Sequence, residues 1–229
     1  MQLLSSTGVL FLAALAAVAS VTLQFFQSQT MAAPQLKLTY FNGPGRAELT
    51  RLAFVVGGIA FDDNRVDHAA FGELKPTLPL GQVPVLDVDG VTYPQSMALA
   101  RYAGKLSGVY PTDAFEALKV DAVLETLTDA KAPVAEIRWR TPDETAKAEK
   151  TKKFLEETLP KHFAYVEKSI SGPFVLGEKL SLADLAVFDV VENGLKVTFP
   201  DFDARKYAKI EALVAAVKAN ERITAYLNK

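Results

Sequence analysis

The pattern of apolar residues changes once along this chain, at about residue 110, and that change limits the folds the chain can adopt. In residues 35–108, short alternating stretches typical of strands are interleaved with helical periods. After a linker that contains Gly108 and Pro111, strand signals all but disappear and helical periods run to the C-terminus. The sequence therefore predicts an α/β domain of thioredoxin type over residues 35–108, followed by an all-helical bundle domain over 113–229.

Residues 1–34 form an apolar leader that differs from everything after it, because they contain no Lys, Arg, Asp or Glu. A secretory signal peptide is one interpretation, since Ala17-Val18-Ala19 fits a small-residue cleavage pattern, although the basic n-region is missing. A membrane anchor is a second, but the apolar run of about 15 residues is shorter than the roughly 20 that span a bilayer. A third is a mis-assigned start, with Met31 as the alternative first residue. In each case the leader is not part of the fold.

Composition excludes several classes of function. The formal charge is −2 and there is no long Lys/Arg run, so nucleic acid is not expected as a partner. The chain has no cysteine, which removes disulfide scaffolds, thiol nucleophiles and thiolate metal sites. Its two histidines, His68 and His162, lie far apart, and neither has the spacing of a metal ligand or a hydrolase triad.

A predicted strand, turn and helix follow one another between residues 36 and 51. Apolar residues alternate up to Phe41, turn formers occupy 42–45, and a helical period begins at Arg46. This order brings the hydroxyl of Tyr40 and the guanidinium of Arg46 together at a helix N-terminus, where backbone N–H groups favour an anion. A thiolate or a carboxylate would suit such a site. The alternative is a packing tyrosine beside a solvated arginine.

The remainder of the first domain contains two further features. We predict a strand over 59–66, a short helix over 68–75, and a hairpin that turns at Asp89-Gly90. The Val83-Pro84 bond precedes this hairpin. The proline either protects a sheet edge or follows a cis bond in a tight turn. A cis bond would turn the Val83 N–H and C=O outward, free to pair with an extended ligand. Gln95 and Ser96 begin the next helix and so provide a second anion-friendly N-terminus, unless they only cap it.

Helix start signals divide the second domain into several predicted helices. Thr141 is the predicted N-cap of a long helix that Pro160 should kink, and Ser181 with Asp184 forms a capping box before a buried apolar helix. Three acidic residues four apart in the first long helix are typical of a solvated face: Asp121, Glu125 and Asp129. The predicted helices span 114–138, 141–169, 181–191, 205–217 and 221–227.

Several motifs, in this order and at this spacing, resemble the cytosolic glutathione transferases, most closely the tyrosine-type sigma class that includes glutathione-dependent prostaglandin D synthases and squid lens crystallins. The likeness runs from about residue 36 to the C-terminus. The stretches that match are Leu38-Thr39-Tyr40-Phe41-Asn42, Gly45-Arg46-Ala47-Glu48, Thr77-Leu78-Pro79, Gly81-Gln82-Val83-Pro84-Val85-Leu86, Gln95-Ser96, Ala100-Arg101-Tyr102, Val120-Asp121-Ala122 and Ser181-Leu182-Ala183-Asp184.

The resemblance implies a role for individual residues. Tyr40 matches the catalytic tyrosine whose hydroxyl hydrogen-bonds the glutathione sulfur, and Arg46 the arginine that supports the thiolate. Val83 matches the residue before the family's cis-proline, Lys75 and Gln82 meet the glycyl end, Gln95 and Ser96 bind the γ-glutamyl carboxylate, and Asp129 reaches the γ-glutamyl amine across a dimer interface. The implied glutathione-binding residues are Tyr40, Phe71, Lys75, Gln82, Val83, Pro84, Gln95, Ser96 and Asp129.

Three residues depart from the family pattern. Phe71 stands where a tryptophan commonly serves the glycyl carboxylate, so that contact should be lost or replaced by Lys75. Pro44 stands where a basic residue is frequent. Thr128 replaces an acid to which some prostaglandin synthases of this class bind magnesium, so no metal is predicted.

The resemblance predicts a glutathione S-transferase that conjugates the thiolate of its co-substrate glutathione to small apolar electrophiles, as in detoxification. The alternatives are a glutathione-dependent prostaglandin-type isomerase, and a non-catalytic crystallin-like protein or assembly module of the same fold. Cysteine-type relatives are excluded because the chain has no cysteine. A homodimer is expected, with no membrane partner for the folded body. The expected location is cytoplasmic, or the secretory pathway if the leader acts as a signal peptide.

Overall fold

The structure, a computed structural model, describes residues 33–228, so the interpretations of the leader concern residues outside the described part. The strands are β1 (Leu36–Phe41), β2 (Asp62–Val66), β3 (Val85–Val88) and β4 (Val91–Pro94). The helices are α1 (Glu48–Gly57), α2 (His68–Leu74), α3 (Ser96–Leu106), α4 (Ala114–Trp139), α5 (Glu144–Lys153), α6 (Leu159–Ser169), α7 (Leu182–Asp189), α8 (Lys196–Thr198), α9 (Ala208–Lys218) and α10 (Glu221–Leu227).

The four strands form one mixed sheet in the order β2-β1-β3-β4. Strand β1 pairs in parallel with β2, so that Tyr40 lies opposite Arg65, and it pairs antiparallel with β3. Strands β3 and β4 form the predicted hairpin, whose turn residues Asp89 and Gly90 have φ of 52° and 86°, as a type I′ turn requires. This sheet with its helices, followed by the helices from α4 onward, confirms the predicted fold class of a thioredoxin-like domain and a helical domain.

One continuous apolar core joins the sheet to the helical domain. Helix α1 packs against α3 and α7, and α7 packs in turn against α4 and α9. Every residue of α7 is buried, as its apolar sequence predicts. The last helix, α10, packs on α1, where Arg222 Nη1 donates to the carbonyl of Val56 at 2.6 Å. Among residues 33–228, no helix is both long enough and apolar enough to cross a bilayer.

Two element starts in the first domain differ from the predictions. Helix α1 begins at Glu48, because Gly45–Ala47 form a separate 3-10 turn. Strand β2 begins at Asp62 rather than at residue 59. Gly58 adopts a left-handed φ of 65° at the end of α1, and the Ile59 N–H bonds back to the carbonyl of Phe54, so this segment closes the helix instead of joining the sheet.

The predicted N-cap of the second long helix is wrong. Asp143 caps α5, accepting from the Ala146 N–H at 2.7 Å. The hydroxyl of Thr141 instead donates to the carbonyl of Glu136 at 3.0 Å and so satisfies the end of α4. The predicted helix over 141–169 is also interrupted by a π turn at Phe154–Thr158, which ends two residues before Pro160. Proline has no N–H for the helical ladder, so a wider turn at this point is physically reasonable.

The capping box at the start of α7 is confirmed. The Asp184 carboxylate accepts from both the backbone N–H and the hydroxyl of Ser181, each at 2.7 Å. Its second oxygen accepts from the Val175 N–H at 2.8 Å. A fully buried carboxylate therefore fixes both the start of α7 and the loop that precedes it.

Candidate active site

Tyr40 lies near the end of β1 with its ring half-buried, and a tight turn surrounds its hydroxyl. The backbone N–H of Arg46 donates to Tyr40 Oη at 3.2 Å. Gly45 has a φ of +48°, and a Cβ atom at this residue would lie 2.6 Å from the same oxygen. The turn can therefore approach the phenol this closely only because residue 45 has no side chain.

Arg46 reaches Tyr40 through its backbone, whereas its side chain is exposed. Its guanidinium makes no hydrogen bond or ion pair with another group in residues 33–228. The predicted helix N-terminus is here the 3-10 turn ahead of α1, so the N–H groups nearest the phenol belong to that turn. An exposed cation and a phenol that accepts a backbone hydrogen bond thus belong to the same strand-turn segment.

The Val83-Pro84 peptide bond is cis, which decides between the two interpretations of this bond. Val83 and Pro84 are buried and directly precede β3. Neither the N–H nor the C=O of Val83 has a hydrogen-bond partner in the described part of the chain. An extended peptide could pair with both groups, as a strand pairs with a sheet edge.

Gln95 and Ser96 start α3, and Gln95 is the N-cap. Gln95 has a φ of 80° and a ψ of 95°, a backbone conformation that residues with a side chain rarely adopt. Its side chain makes no capping hydrogen bond, so capping does not account for this geometry. Strain of this kind concentrates at ligand sites, where the surrounding structure maintains it.

Phe71 and Lys75 lie on the segment after β2. The Phe71 ring packs edge-on against Phe41 with centroids 5.2 Å apart, so it is a half-buried packing residue beside the strand that carries Tyr40. Lys75 begins a 3-10 turn and its side chain runs alongside Gly81, next to the exposed Gln82.

The acidic face of α4 is partly paired rather than simply solvated. Arg101 of α3 forms ion pairs with Asp121, at 2.9 Å, and with Glu125. Asp121 also accepts from the Tyr110 hydroxyl at 2.8 Å. Asp129, the third of the series, is exposed, and no ion pair joins it to residues 33–228. Within the same residues, no group of three or more His, Cys, Asp or Glu side chains is arranged to hold a metal ion.

Sequence reasoning missed Arg51, although Arg51 lies in the same strand-turn-helix segment, residues 36–51, as Tyr40 and Arg46. Arg51 is fully buried in α1. Its guanidinium donates to the Gly43 carbonyl at 2.7 Å and forms ion pairs with Glu48 and Asp63. Burial raises the pKa of Glu48, as does the negative charge of Asp189, while Arg51 opposes both. The spacing of three between Glu48 and Arg51 is typical of surface pairs as well, so it carried no distinguishing signal.

This combination of fold and site matches one family in both halves of the chain. Residues 36–105 match the model of the glutathione S-transferase N-terminal domain, and residues 128–229 match that of its C-terminal domain. The chain belongs to the glutathione S-transferase family.

Its relatives are of the sigma-class type that the motifs indicate. Hematopoietic prostaglandin D synthase of Gallus gallus is 32% identical over 197 residues, covering 86% of this chain and 96% of that protein. Glutathione S-transferase 3 of Caenorhabditis elegans is 34% identical over 76% of this chain and 86% of its own, and S-crystallin 4 of Enteroctopus dofleini is 28% identical over 86% and 97%. The solved sigma-class transferase of Fasciola hepatica superposes with a TM-score of 0.78 at 30% identity, covering 86% of this chain and 97% of that one.

Proposed function

We propose that this glutathione S-transferase adds the glutathione thiolate to small apolar electrophiles, with Tyr40 as the catalytic residue. The observation that carries the proposal is the phenol hydroxyl held between Gly45 and the Arg46 N–H. Because that N–H donates to the phenol oxygen, the phenol proton is left free to donate elsewhere. A sulfur anion above the turn is a suitable acceptor.

The chemistry requires the thiol to ionise. A free thiol has a pKa near 8.5, so only a few per cent is thiolate at pH 7. A hydrogen bond to a charged group is worth about 1.5–3 kcal/mol, so Tyr40 alone would lower the thiol pKa by roughly one to two units. The exposed guanidinium of Arg46 would act in the same direction. The thiol proton leaves to solvent, the sulfur electron pair forms the new C–S bond, and a leaving group departs or the adduct is protonated.

The remaining polar groups suit the three parts of the tripeptide. The unpaired backbone of Val83 would pair with the cysteinyl part, and Gln95 and Ser96 at the N-terminus of α3 would bind the γ-glutamyl carboxylate. Lys75 and Gln82 would bind the glycyl carboxylate. Phe71 has no N–H to offer, so in this proposal Lys75 supplies the charge at that end and Phe71 supports it by packing on Phe41.

Replacing Tyr40 by Phe tests the catalytic assignment. We expect kcat/KM with a chromogenic electrophile to fall by about tenfold to a hundredfold and the pKa of the bound thiol, read from the pH profile, to rise by about one to two units. The KM for glutathione should stay nearly unchanged, because Val83, Gln95 and Ser96 remain. Tyr165→Phe, an exposed tyrosine of α6, is the matched control. Equal thiol pKa values in Tyr40→Phe and the parent enzyme would remove Tyr40 from this role.

Prostaglandin isomerisation is the second candidate, because several relatives are named hematopoietic prostaglandin D synthase. The same thiolate would serve, so a substrate panel that includes a prostaglandin endoperoxide separates the two activities. A non-catalytic, crystallin-like role is disfavoured because the chain retains Tyr40, Arg46, Val83-Pro84 and Gln95-Ser96 together. We also propose a cytoplasmic location and a homodimer in which Asp129 of one copy completes the site of the other.

A further inference from the structure

Arg51 connects the buried core of α1 to the turn around the Tyr40 hydroxyl. Its Nη1 atom donates to the carbonyl of Gly43 at 2.7 Å and lies 3.3 Å from that of Pro44. Both carbonyls belong to the turn that presents Gly45 and the Arg46 N–H to the phenol. The guanidinium carbon also lies over the Tyr40 ring, 5.9 Å from its centroid, so the same cation is within cation–π range of that side chain.

The guanidinium is itself fixed by two carboxylates. Its Nη1 is 3.2 Å from Glu48 Oε2, and its Nε donates to Asp63 Oδ1 at 2.9 Å. Arg51 has no exposed surface, which makes removal of either negative partner costly. The acids therefore do more than neutralise a charge, because together they define the plane in which the guanidinium meets the turn.

Asp63 extends this arrangement to a second arginine. Its other oxygen accepts from Arg65 Nε at 2.9 Å, and Arg65 Nη1 donates to the side chain of Asn42 at 3.3 Å. One carboxylate on β2 thus joins two arginines: Arg65 holds Asn42, and Arg51 holds Gly43 and Pro44. Residues 42, 43 and 44 are all held in this way, directly ahead of Gly45.

We propose that Arg51, oriented by Asp63, is a positioning residue for Tyr40: it holds the 42–45 turn so that the Arg46 N–H polarises the phenol and directs its proton at the substrate sulfur. This inference rests on the proposed function, because it assigns a consequence to the geometry of Tyr40. A lysine cannot replace Arg51, since one ammonium cannot meet two carbonyls and two carboxylates in the fixed geometry of a guanidinium.

The test compares Arg51→Lys and Asp63→Asn in the full-length protein. We expect each to raise the pKa of the bound thiol, measured from the pH dependence of kcat/KM and from thiolate ultraviolet absorbance with glutathione itself. A rise that lowers the thiolate fraction at pH 7 by about threefold to tenfold would reflect a partly lost hydrogen bond to the anion. The KM for glutathione should change little, because the backbone of Val83 and the start of α3 are not touched.

Arg101→Lys is the matched control, because Arg101 also pairs with two carboxylates but contacts no residue of the turn. Its thiol pKa should equal that of the parent. Circular dichroism establishes that each variant is folded. If Arg51→Lys does not fold, Asp63→Asn carries the test. Asp63 is partly exposed, and the amide oxygen of the asparagine that replaces it still accepts one hydrogen bond.

A double variant separates positioning from a general structural effect. If Arg51 acts through Tyr40, then Arg51→Lys should not raise the thiol pKa further in a Tyr40→Phe background. An additive rise, or a parental thiol pKa in both Arg51→Lys and Asp63→Asn, overturns the inference. If Tyr40→Phe itself leaves the thiol pKa unchanged, the proposed function fails. If Tyr40→Phe raises it and the turn variants do not, only this inference fails.

Discussion

Gly45 meets two separate requirements of the turn around Tyr40. Its φ of +48° is left-handed, which costs a residue with a side chain about 1 kcal/mol or more. A Cβ atom would also lie 2.6 Å from the Tyr40 hydroxyl, far inside van der Waals contact. The first requirement concerns the free energy of unfolding, whereas the second concerns the position of the Tyr40 hydroxyl oxygen.

A pair of glycine variants separates these requirements. Gly45→Ala should lower the free energy of unfolding by about 1–2 kcal/mol and should also lower kcat/KM by about tenfold or more, because the phenol must move. Gly90→Ala is the control, since Gly90 has a φ of +86° but open space at its Cβ position. It should lose comparable stability, measured by urea unfolding, and keep full activity. Full activity in folded Gly45→Ala would show that the contact with Tyr40 is unimportant.

At the residue scale, sequence reasoning predicted Tyr40, because a strand, a turn and a helix start in succession are local features. It predicted Arg46 too, although the described contact uses the backbone N–H rather than the guanidinium. Arg51 could not be predicted in the same way. Its burial depends on Asp63, which reaches it only because β1 and β2 pair in parallel, and a lone arginine in a helix is ordinarily solvated.

At the scale of elements, the start of α7 depends on one buried carboxylate. Asp184→Asn should lower the free energy of unfolding by about 2–4 kcal/mol, because an amide nitrogen cannot accept and at least one buried N–H or O–H loses its partner. Asp143→Asn is the matched control: Asp143 caps α5 at the surface, and Asn caps a helix about as well as Asp. Urea unfolding of both variants gives the comparison. Equal stability of the two would contradict this role for Asp184.

The sequence predicted the capping box because its signal is local, Ser and Asp three residues apart before an apolar run. It misplaced the start of α5, where Thr141 and Asp143 are both good N-caps. Only the position of Glu136, whose carbonyl accepts from Thr141, decides between them. The π turn at Phe154–Thr158 was likewise not predictable in detail. Pro160 indicates a disturbed ladder but does not say whether the helix kinks or widens, and the Phe154 ring in this turn stacks on Phe199, which is distant in sequence.

At the scale of the whole molecule, exposed apolar side chains indicate where a second copy would bind. Strand β4 is a sheet edge that exposes Val91 and Tyr93, and α4 exposes Phe115 and Leu118. Light scattering should give twice the mass of one chain. Phe115→Asp should shift the protein toward monomer and raise the KM for glutathione, because Asp129 of the other copy is lost. Val197→Asp, at another exposed apolar residue, should change neither. A fully active monomer would contradict the proposal.

The hydrogen bond of Arg222 joins the last helix to a segment that is synthesised much earlier. Its guanidinium holds the carbonyl of Val56, 166 positions earlier in the chain. While a ribosome is still making the protein, the C-terminal end of α1 lacks this bond, and it gains it only after almost the entire polypeptide has emerged. The thioredoxin-like half, although made first, therefore gains one of its hydrogen bonds only when the last helix is made.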